Sequence, residues 1–165
     1  MIRNFKKEDL LVIMDIGNRA WQGIYDMYIE AYGEDLLNLL LITSDRHTAK
    51  GQEIKIHCDK HPDWVFVCEE EGRIVGFVTF NINEEEGIAE IGNNAVDPEC
   101  GLKGMGQQMY RAVLEHFRKK GIKYAKVSTG LDWAHAPARR AYEQAGFNLK
   151  TEMVQYYIKL EESSK

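Results

Sequence analysis

Hydrophobic and polar positions change their period along the chain, and these changes divide it into elements. Apolar residues recur every three to four positions over 10–21, which predicts a helix after a short strand at 2–5. Residues 23–33 are rich in aromatic side chains and flanked by glycines, so we expect an irregular connection or a broken helix there. Two further helical pieces are expected at 34–41 and 45–58, the first opening with acidic residues that suit a helix N-terminus.

After a proline at position 62, short apolar runs separated by acidic, glycine-containing turns replace the helical spacing. The predicted strands are 64–68, 74–80, 88–96, 123–129, 147–149 and 154–160, and the predicted helices are 104–119 and 137–145. The order of these strands and helices predicts an α/β fold with a mixed central sheet that is flanked by helices. In this sheet an antiparallel meander is followed by a parallel β-α-β crossover. Residues 1–165 read as a single domain, with a flexible tail expected at 161–165.

Composition narrows the class of protein without naming a function. The chain has 165 residues, 44% of them apolar, and a formal net charge of −5, which argues against nucleic acid or an anionic membrane as a partner. We find no apolar run long enough to span a membrane and no signal-peptide pattern at the N-terminus. Three cysteines without metal-type spacing favour free thiols in a reducing, cytoplasmic setting, and no metal site is predicted.

The segment 96–109 carries the clearest chemical signal. A predicted strand ends at Val96, glycines follow at 101, 104 and 106 beside Lys103, and a helix then begins. Free N–H groups at a helix start attract anions, although a glycine pair also occurs in ordinary tight turns. Met109 stands where a dinucleotide-binding loop needs its last glycine, and no Gly-Lys-Ser/Thr ending follows, so two familiar nucleotide-binding loops are disfavoured.

A second block, Ala138-Arg-Arg-Ala-Tyr-Glu-Gln-Ala-Gly-Phe147, follows at a fixed interval after Gly101-Leu-Lys-Gly-Met-Gly106. Together the two blocks resemble the pyrophosphate loop and the Tyr-Glu-x-x-Gly-Phe helix of the GNAT superfamily of N-acetyltransferases. The resemblance covers essentially the whole chain and is strongest over 64–150. Two departures are Gly101, where relatives carry Gln or Arg, and His135, where many carry Asn.

The resemblance implies acetyl-CoA as the donor, and it assigns a set of cofactor-binding residues. The pyrophosphate would lie on the loop and the start of the helix that follows it. The pantetheine arm would run along a free edge of the strand 88–96, and two residues at the start of the helix 137–145 would contact the arm. The residues concerned are Gly101, Leu102, Lys103, Gly104, Met105, Gly106 and Gln107 for the loop, Asn94, Ala95 and Val96 for the edge, and His135 and Ala138 for the helix. Ala95 or Val96 would supply the N–H donor for the oxyanion, on a strand that is bulged in this family.

Catalytic and acceptor roles also follow from the resemblance. Tyr142 would be the general acid for the leaving thiolate, or alternatively an aromatic packed on the sheet. Glu90 would be the general base, with a strand ion pair or a water chain to Asn93 and Asn94 as alternatives. Tyr25 and Tyr28 would bind a cationic amine.

These features predict an acetyl-CoA-dependent N-acetyltransferase (an acyltransferase of the EC 2.3.1 type) that acts on a small-molecule or peptide amine by direct attack in a ternary complex. A non-catalytic acyl-CoA-binding regulatory module is the alternative, and it would require neither Tyr142 nor Glu90. A nucleotide-binding protein that uses the same loop would leave the Tyr-Glu-x-x-Gly-Phe block unexplained. A homodimer is compatible with the resemblance, because dimers are common among similar proteins.

Overall fold

The computed structural model describes residues 1–160, and the predicted tail at 161–165 lies outside them. Within the described residues, the chain forms five strands and five α-helices, with two short 3-10 helices before α1 and β2. The elements in chain order are β1 (Ile2–Asn4), α1 (Leu10–Tyr32), α2 (Glu34–Leu40), α3 (Ala49–Lys60), β2 (Val65–Glu70), β3 (Arg73–Asn83), β4 (Ile88–Val96), α4 (Met105–Lys119), β5 (Tyr124–Val127) and α5 (Ala136–Gln144).

The first helix differs from the sequence prediction. Residues 23–33 do not break, and α1 continues to Tyr32 before Gly33 ends it with a positive φ of 88°. The aromatic residues at 25, 28 and 32 recur at helical spacing, so they form one face that packs against α2 and α3. This tertiary packing outweighs the small helix penalty of Gly23, and the prediction of an irregular connection was wrong.

The strands form one sheet in the order β1-β2-β3-β4-β5, antiparallel as far as β4 and parallel between β4 and β5. The predicted meander and crossover are therefore confirmed. In the β3–β4 ladder, Val78 lies opposite Asn94 and Phe80 opposite Ile91, so Thr79 faces two residues, Gly92 and Asn93. This is a β-bulge, and it reverses the face on which side chains of β4 point beyond it.

Two apolar layers cover the sheet. On one face, α4 and α5 pack on a cluster that includes Phe80, Ala89 and Ile91. On the other face, α1 and α3 pack on a cluster that includes Phe77 and Ala95. The sheet is therefore buried on both sides where β3 and β4 run together. This burial holds β4 between two helical layers.

Close packing between β3 and β4 also depends on one glycine. A Cβ on Gly76 would lie 2.9 Å from the backbone oxygen of Ala95 and 3.2 Å from the sulfur of Met109. Neither atom has room to move freely, since one is backbone and the other is buried in the core. Gly76 therefore allows β3, β4 and α4 to approach one another closely.

The predicted final strands, 147–149 and 154–160, are absent from the described residues. After α5, residues up to 160 form no helix or strand, and apolar side chains such as Leu149 and Met153 are exposed. An alternating pattern becomes a strand only when a neighbouring strand completes its hydrogen bonds, and in the described chain no strand pairs with this segment. Across residues 1–160, none of the helices combines the length and apolar character that crossing a membrane requires.

Candidate functional site

The site is built where β4 separates from β5. The two strands pair in parallel only as far as Ile91 and Val127, and the second half of β4 has no partner on that side among residues 1–160. The Asp97 N–H donates to the Val75 carbonyl oxygen at 2.8 Å, which marks that pair as hydrogen-bonded in the ladder. Because such pairs alternate along an antiparallel ladder, the N–H of Ala95 points toward β3 and those of Asn94 and Val96 point toward the open edge.

A glycine-rich loop continues from this edge into α4. Gly101 and Gly104 have φ values of 67° and 81°, a conformation that glycine adopts without strain. The first bond of α4 is donated by Gln108 N–H to the Gly104 oxygen, so the N–H groups of the preceding helical residues have no partner within the helix. The loop and helix start therefore form an amide-rich, electropositive concave surface.

An ion pair fixes the beginning of the loop. Arg19 on α1 donates from Nη1 to Asp97 Oδ1 at 2.6 Å, and the same oxygen accepts from the Glu99 N–H at 2.9 Å. The hydrogen bond from Arg19 lowers the pKa of the Asp97 carboxyl, despite the opposing effect of burial. Leu102 and Lys103 are exposed beyond this anchor, so their positions follow the backbone of the loop and not side-chain packing.

The predicted acid, Tyr142, lies behind the open edge in a network of three side chains that we call the Asn94 network. The Asn94 amide donates to Gly92 O at 2.9 Å and to Tyr142 Oη at 3.0 Å, and Asn94 Oδ1 accepts from Tyr110 Oη at 2.7 Å. Because a carbonyl oxygen only accepts, Gly92 fixes which end of the Asn94 amide is the NH₂ group. Tyr142 therefore accepts from Asn94 and keeps its own proton free to donate elsewhere.

Burial sets the protonation of this network. Desolvation raises the pKa of Tyr142, opposed by the hydrogen bond from Asn94 and by the adjacent Tyr110 hydroxyl, and desolvation raises the pKa of Tyr110 further. Both hydroxyls are thus protonated at neutral pH. Tyr142 has the protonation state of a proton donor, and it is only 7% exposed.

The start of α5 borders the site and reaches toward α1, since the His135 ring lies 6.4 Å from the Tyr28 ring, centre to centre. His135 is the N-cap of α5, and its Nδ1 lies 2.7 Å from Asp132 Oδ2. Burial opposes ionisation of Asp132, but hydrogen bonds from the side chain and backbone of His135 outweigh it and lower the pKa of that carboxyl. Ala138 packs on the core cluster beside α4. Gln107, by contrast, directs its side chain to the carbonyl oxygen of Ala141 at 2.7 Å, which ties α4 to α5 and leaves only its backbone N–H for the loop.

Glu90 lies on the opposite face of β4 from the Asn94 network. Its neighbours Ala89 and Ile91 point into the cluster under α4, so Glu90 points toward the α1 and α3 layer. There it forms an ion pair with Lys126 at 3.2 Å and is 37% exposed. The structure does not bring Glu90 to Tyr142, and its role as a base stays a prediction.

A cavity of about 630 Å³ opens among α1, α2, α3 and residues 155–157. Tyr25 and Tyr28, the predicted acceptor residues, both line it together with Trp21. Lys50 and Glu53 of α3 line it as well, and these two residues were not found from the sequence. Their only local signal is the spacing of three, which brings opposite charges together on one helix.

Lys50 links the cavity to the bulge. Its ammonium group donates to Glu53, donates to Asn93 Oδ1 at 3.2 Å, and lies 4.6 Å from the centre of the Trp21 ring. Asn93 and Asn94 thus point to opposite faces, the first toward the cavity and the second toward Tyr142. Within the described part of the chain, no group of three or more His, Cys, Asp or Glu side chains is placed to hold a metal ion.

Comparison with known proteins agrees with this geometry. Residues 21–147 match the model of the Acetyltransferase (GNAT) family. An uncharacterised N-acetyltransferase of Methanocaldococcus jannaschii, MJ1207, is 26% identical over 164 residues, which cover 96% of this chain and 65% of that relative. The mycothiol acetyltransferase of Segniliparus rotundus is 29% identical over 100 residues, covering 58% of this chain and 37% of the relative. The chain spans less than two thirds of the length of both relatives.

A solved structure gives the same fold at lower identity. The PaiA N-acetyltransferase of Thermoplasma acidophilum, crystallised in complex with coenzyme A, superposes with a TM-score of 0.64 at 17% identity, covering 91% of this chain and 90% of that one. This similarity supports the fold, and the family model supplies the classification because it matches more than half of the chain. The divided sheet, the amide-rich loop and the family match lead to one conclusion: the chain belongs to the GNAT family of acetyltransferases.

Proposed function

We propose that this protein transfers an acetyl group from acetyl-CoA to a primary amine, by direct attack of the amine in a ternary complex. The observation that carries the proposal is the division of β4 from β5, with an amide-rich loop at the end of β4 and a protonated tyrosine behind it. The bulge is compatible with direct attack, because it turns the Asn94 side chain toward Tyr142 and the Asn93 side chain toward Lys50, so a donor and an acceptor would each have a face of the strand.

The residues present fit an acyl-CoA. The N–H groups from Gly101 to Gln107 would hold the pyrophosphate at the positive end of α4, and a Cβ added to Gly106 would meet no atom closer than 3.9 Å, so the backbone is open to a close approach. The outward N–H of Asn94 would pair with an amide of the pantetheine arm in the manner of an added strand, which leaves the outward N–H of Val96 for the oxyanion. His135 and Ala138 lie on the same side, at the start of α5.

When bound, acetyl-CoA supplies an activated thioester carbonyl. Val96 is the better of the two predicted oxyanion donors, since its N–H faces the open edge and that of Ala95 is directed into the ladder. Tyr142 donates its free proton to the departing thiolate. The Asn94 network holds the Tyr142 oxygen as an acceptor, so the proton stays directed away from Asn94.

The amine approaches from the other face of β4. Glu90 points to that face, and we retain it as the proposed group that removes a proton from the ammonium form of the acceptor. A free amine is required because only its lone pair can attack, and ammonium groups of the lysine type have a pKa near 10.4. Tyr25 and Tyr28 would form part of the acceptor site.

The decisive experiment measures thiol release from acetyl-CoA over a panel of amines, with the acetylated product identified by mass. CoA binding is measured separately by calorimetry. Thiol release that depends on an amine, with a matching mass increase of the amine, supports the proposal. Binding of CoA without turnover on any amine would favour the regulatory module, and absence of CoA binding would exclude both functions.

A further inference from the structure

We infer that the acceptor is a small monoamine with an aromatic body that carries a hydroxyl or carbonyl group, and that Glu53 binds its ammonium while Tyr25 binds that polar group. The inference rests on the proposed function for the reaction it serves. It concerns the cavity lined by α1, α2, α3 and residues 155–157, and its evidence is independent of the donor site. The volume of about 630 Å³ lies in the range of about 300–1,000 Å³ that is typical of small-molecule sites.

The charges that line the cavity limit the charge of the acceptor. Among the described residues that line it, Glu53 is the only carboxylate and Lys50 the only cation. Lys50 donates hydrogen bonds to Glu53 and Asn93 and lies over the Trp21 ring, so its charge is engaged within the protein. The second oxygen of Glu53 accepts no hydrogen bond from the described residues and is left for an ammonium group.

A polyamine does not fit this arrangement. The Lys50–Glu53 pair has no net charge, and a single ammonium adds one positive charge that Glu53 can share. Each further ammonium would lose its hydration beside Lys50 with no carboxylate to receive it, which is unfavourable in a partly buried site. The cavity therefore selects against acceptors that carry several positive charges.

The walls and one buried hydroxyl define the rest of the acceptor. Trp21, Tyr28 and Tyr32 present aromatic surface, and Tyr28 stacks on Tyr32 with ring centres 5.5 Å apart. Tyr25 is 3% exposed, and its hydroxyl has no hydrogen-bond partner within residues 1–160. The hydroxyl oxygen has less than 1 Å² of accessible surface, so an acceptor reaches it by displacing a neighbouring side chain. A buried hydroxyl without a partner is costly, and a ligand group that pairs with it in this way gains affinity and specificity. Burial, with a smaller effect of the Glu53 charge, raises the pKa of Tyr25, which keeps this hydroxyl a donor.

The test compares four amines: tyramine, phenethylamine, butylamine and spermidine. Each is titrated by calorimetry into the protein saturated with CoA, which forms a complex without an acetyl group and reports binding independently of turnover. We expect tyramine to bind about five-fold more tightly than phenethylamine, the effect of one hydrogen bond, and at least ten-fold more tightly than spermidine. Values of kcat/KM with acetyl-CoA are expected to follow the same order.

Two substitutions assign the contacts. Tyr25→Phe is expected to abolish the difference between tyramine and phenethylamine, and Tyr124→Phe, on an exposed tyrosine of β5, serves as the matched control that preserves it. Glu53→Gln is expected to weaken every amine at least ten-fold and to leave CoA affinity unchanged, with Glu115→Gln on the surface of α4 as its control. Thermal unfolding of each variant verifies that the fold is retained.

The outcomes separate this inference from the proposed function. Tight binding of spermidine, or equal affinities of the wild type for tyramine and phenethylamine, would overturn the inference even if amines are acetylated. Tyramine binding that depends on Tyr25 and Glu53 would support it even if no thiol is released, a result that would instead refute the proposed reaction.

Discussion

Replacing Tyr142 by phenylalanine tests the chemistry with little change in shape. The ring stays in a core where it lies 5.2 Å from the Tyr110 ring and 6.1 Å from the Phe147 ring, centre to centre. Only the hydroxyl is lost, and with it the acceptor for one N–H of Asn94. We expect a loss of about 1 kcal/mol in the free energy of unfolding, the usual net value of one hydrogen bond.

Turnover should fall much further than stability. A loss of 1 kcal/mol corresponds to only about a five-fold change in a rate or an affinity. Removal of a general acid costs about 10²–10⁴-fold, or roughly 3–5 kcal/mol of barrier. We therefore expect kcat of Tyr142→Phe to fall at least 100-fold, while the affinity for CoA changes less than about five-fold.

Tyr110→Phe is the matched control. It removes a hydroxyl from the other end of the same Asn94 amide, so its effect on thermal unfolding should be similar. Tyr142 keeps its proton in this variant, and we expect kcat to fall less than about ten-fold. Thiol release, CoA calorimetry and thermal unfolding are measured for both variants.

Equal losses of kcat in the two variants would show that Tyr142 acts only through packing. A loss of CoA affinity as large as the loss of kcat would lead to the same conclusion. Either result would refute the assignment of the free proton of Tyr142 to the leaving thiolate.

Four further predictions concern stability, the loop and the base. Gly76→Ala should lower the free energy of unfolding by about 1–3 kcal/mol in chemical denaturation, because its Cβ meets a β4 carbonyl oxygen, whereas Gly23→Ala in open space on α1 should raise it by about 0.5–1 kcal/mol. Gly104→Ala places an alanine at a φ of 81°, which costs about 1–2 kcal/mol of backbone strain, and it should weaken CoA binding about ten-fold in calorimetry. An unchanged CoA affinity would mean that the loop binds equally well in another conformation. Glu90→Gln should lower kcat at least 100-fold at neutral pH if this carboxylate removes the proton of the acceptor ammonium. A pH–rate profile unchanged from the wild type would show that Glu90 serves only in its ion pair with Lys126. The contribution of buried Tyr110 to stability should be constant below about pH 10 and should fall above it, because tyrosines of the unfolded chain lose protons there while Tyr110 keeps its own in the folded protein. Tyr110→Phe should reduce this alkaline loss of thermal stability.

The central part of the fold could be predicted because its signals are local. Strands 65–70, 73–83 and 88–96 are separated by turns with acidic residues and glycine, and the loop before α4 has glycines at the positions of positive φ. Each of these features depends on neighbours in the sequence. The predicted bounds of the meander consequently differ from the observed ones by only a few residues.

The errors arise where distant residues decide the outcome. Gly23 was expected to help break a helix, but the aromatic face that follows it packs against α2 and α3 and keeps α1 continuous. The alternating residues near the C-terminus were expected to form strands, and the described structure gives them no strand to pair with. Hydrophobic periodicity reports what a segment favours, and the presence of a partner decides whether it forms.

The candidate site shows the same division. The loop, Tyr142 and the tyrosines of α1 could be proposed from the sequence because they stand in recognisable patterns. Lys50 and Glu53 were not singled out in the sequence, because only the fold brings Lys50 into contact with Asn93, which is more than thirty residues away along the chain. Similarly, the bulge at Gly92 decides which way Glu90 and the two asparagines point, and residue parity alone does not reveal it.

That bulge gives the chain two adjacent reporters with separate meanings. The side-chain amides of Asn93 and Asn94 are one peptide unit apart, yet one contacts Lys50 at the cavity and the other contacts Tyr142 at the opposite face. In a nuclear magnetic resonance spectrum, the amide signals of one should shift with the amine and those of the other with the acyl donor. One extra residue in the strand would thus let two adjacent residues report the two proposed binding events separately.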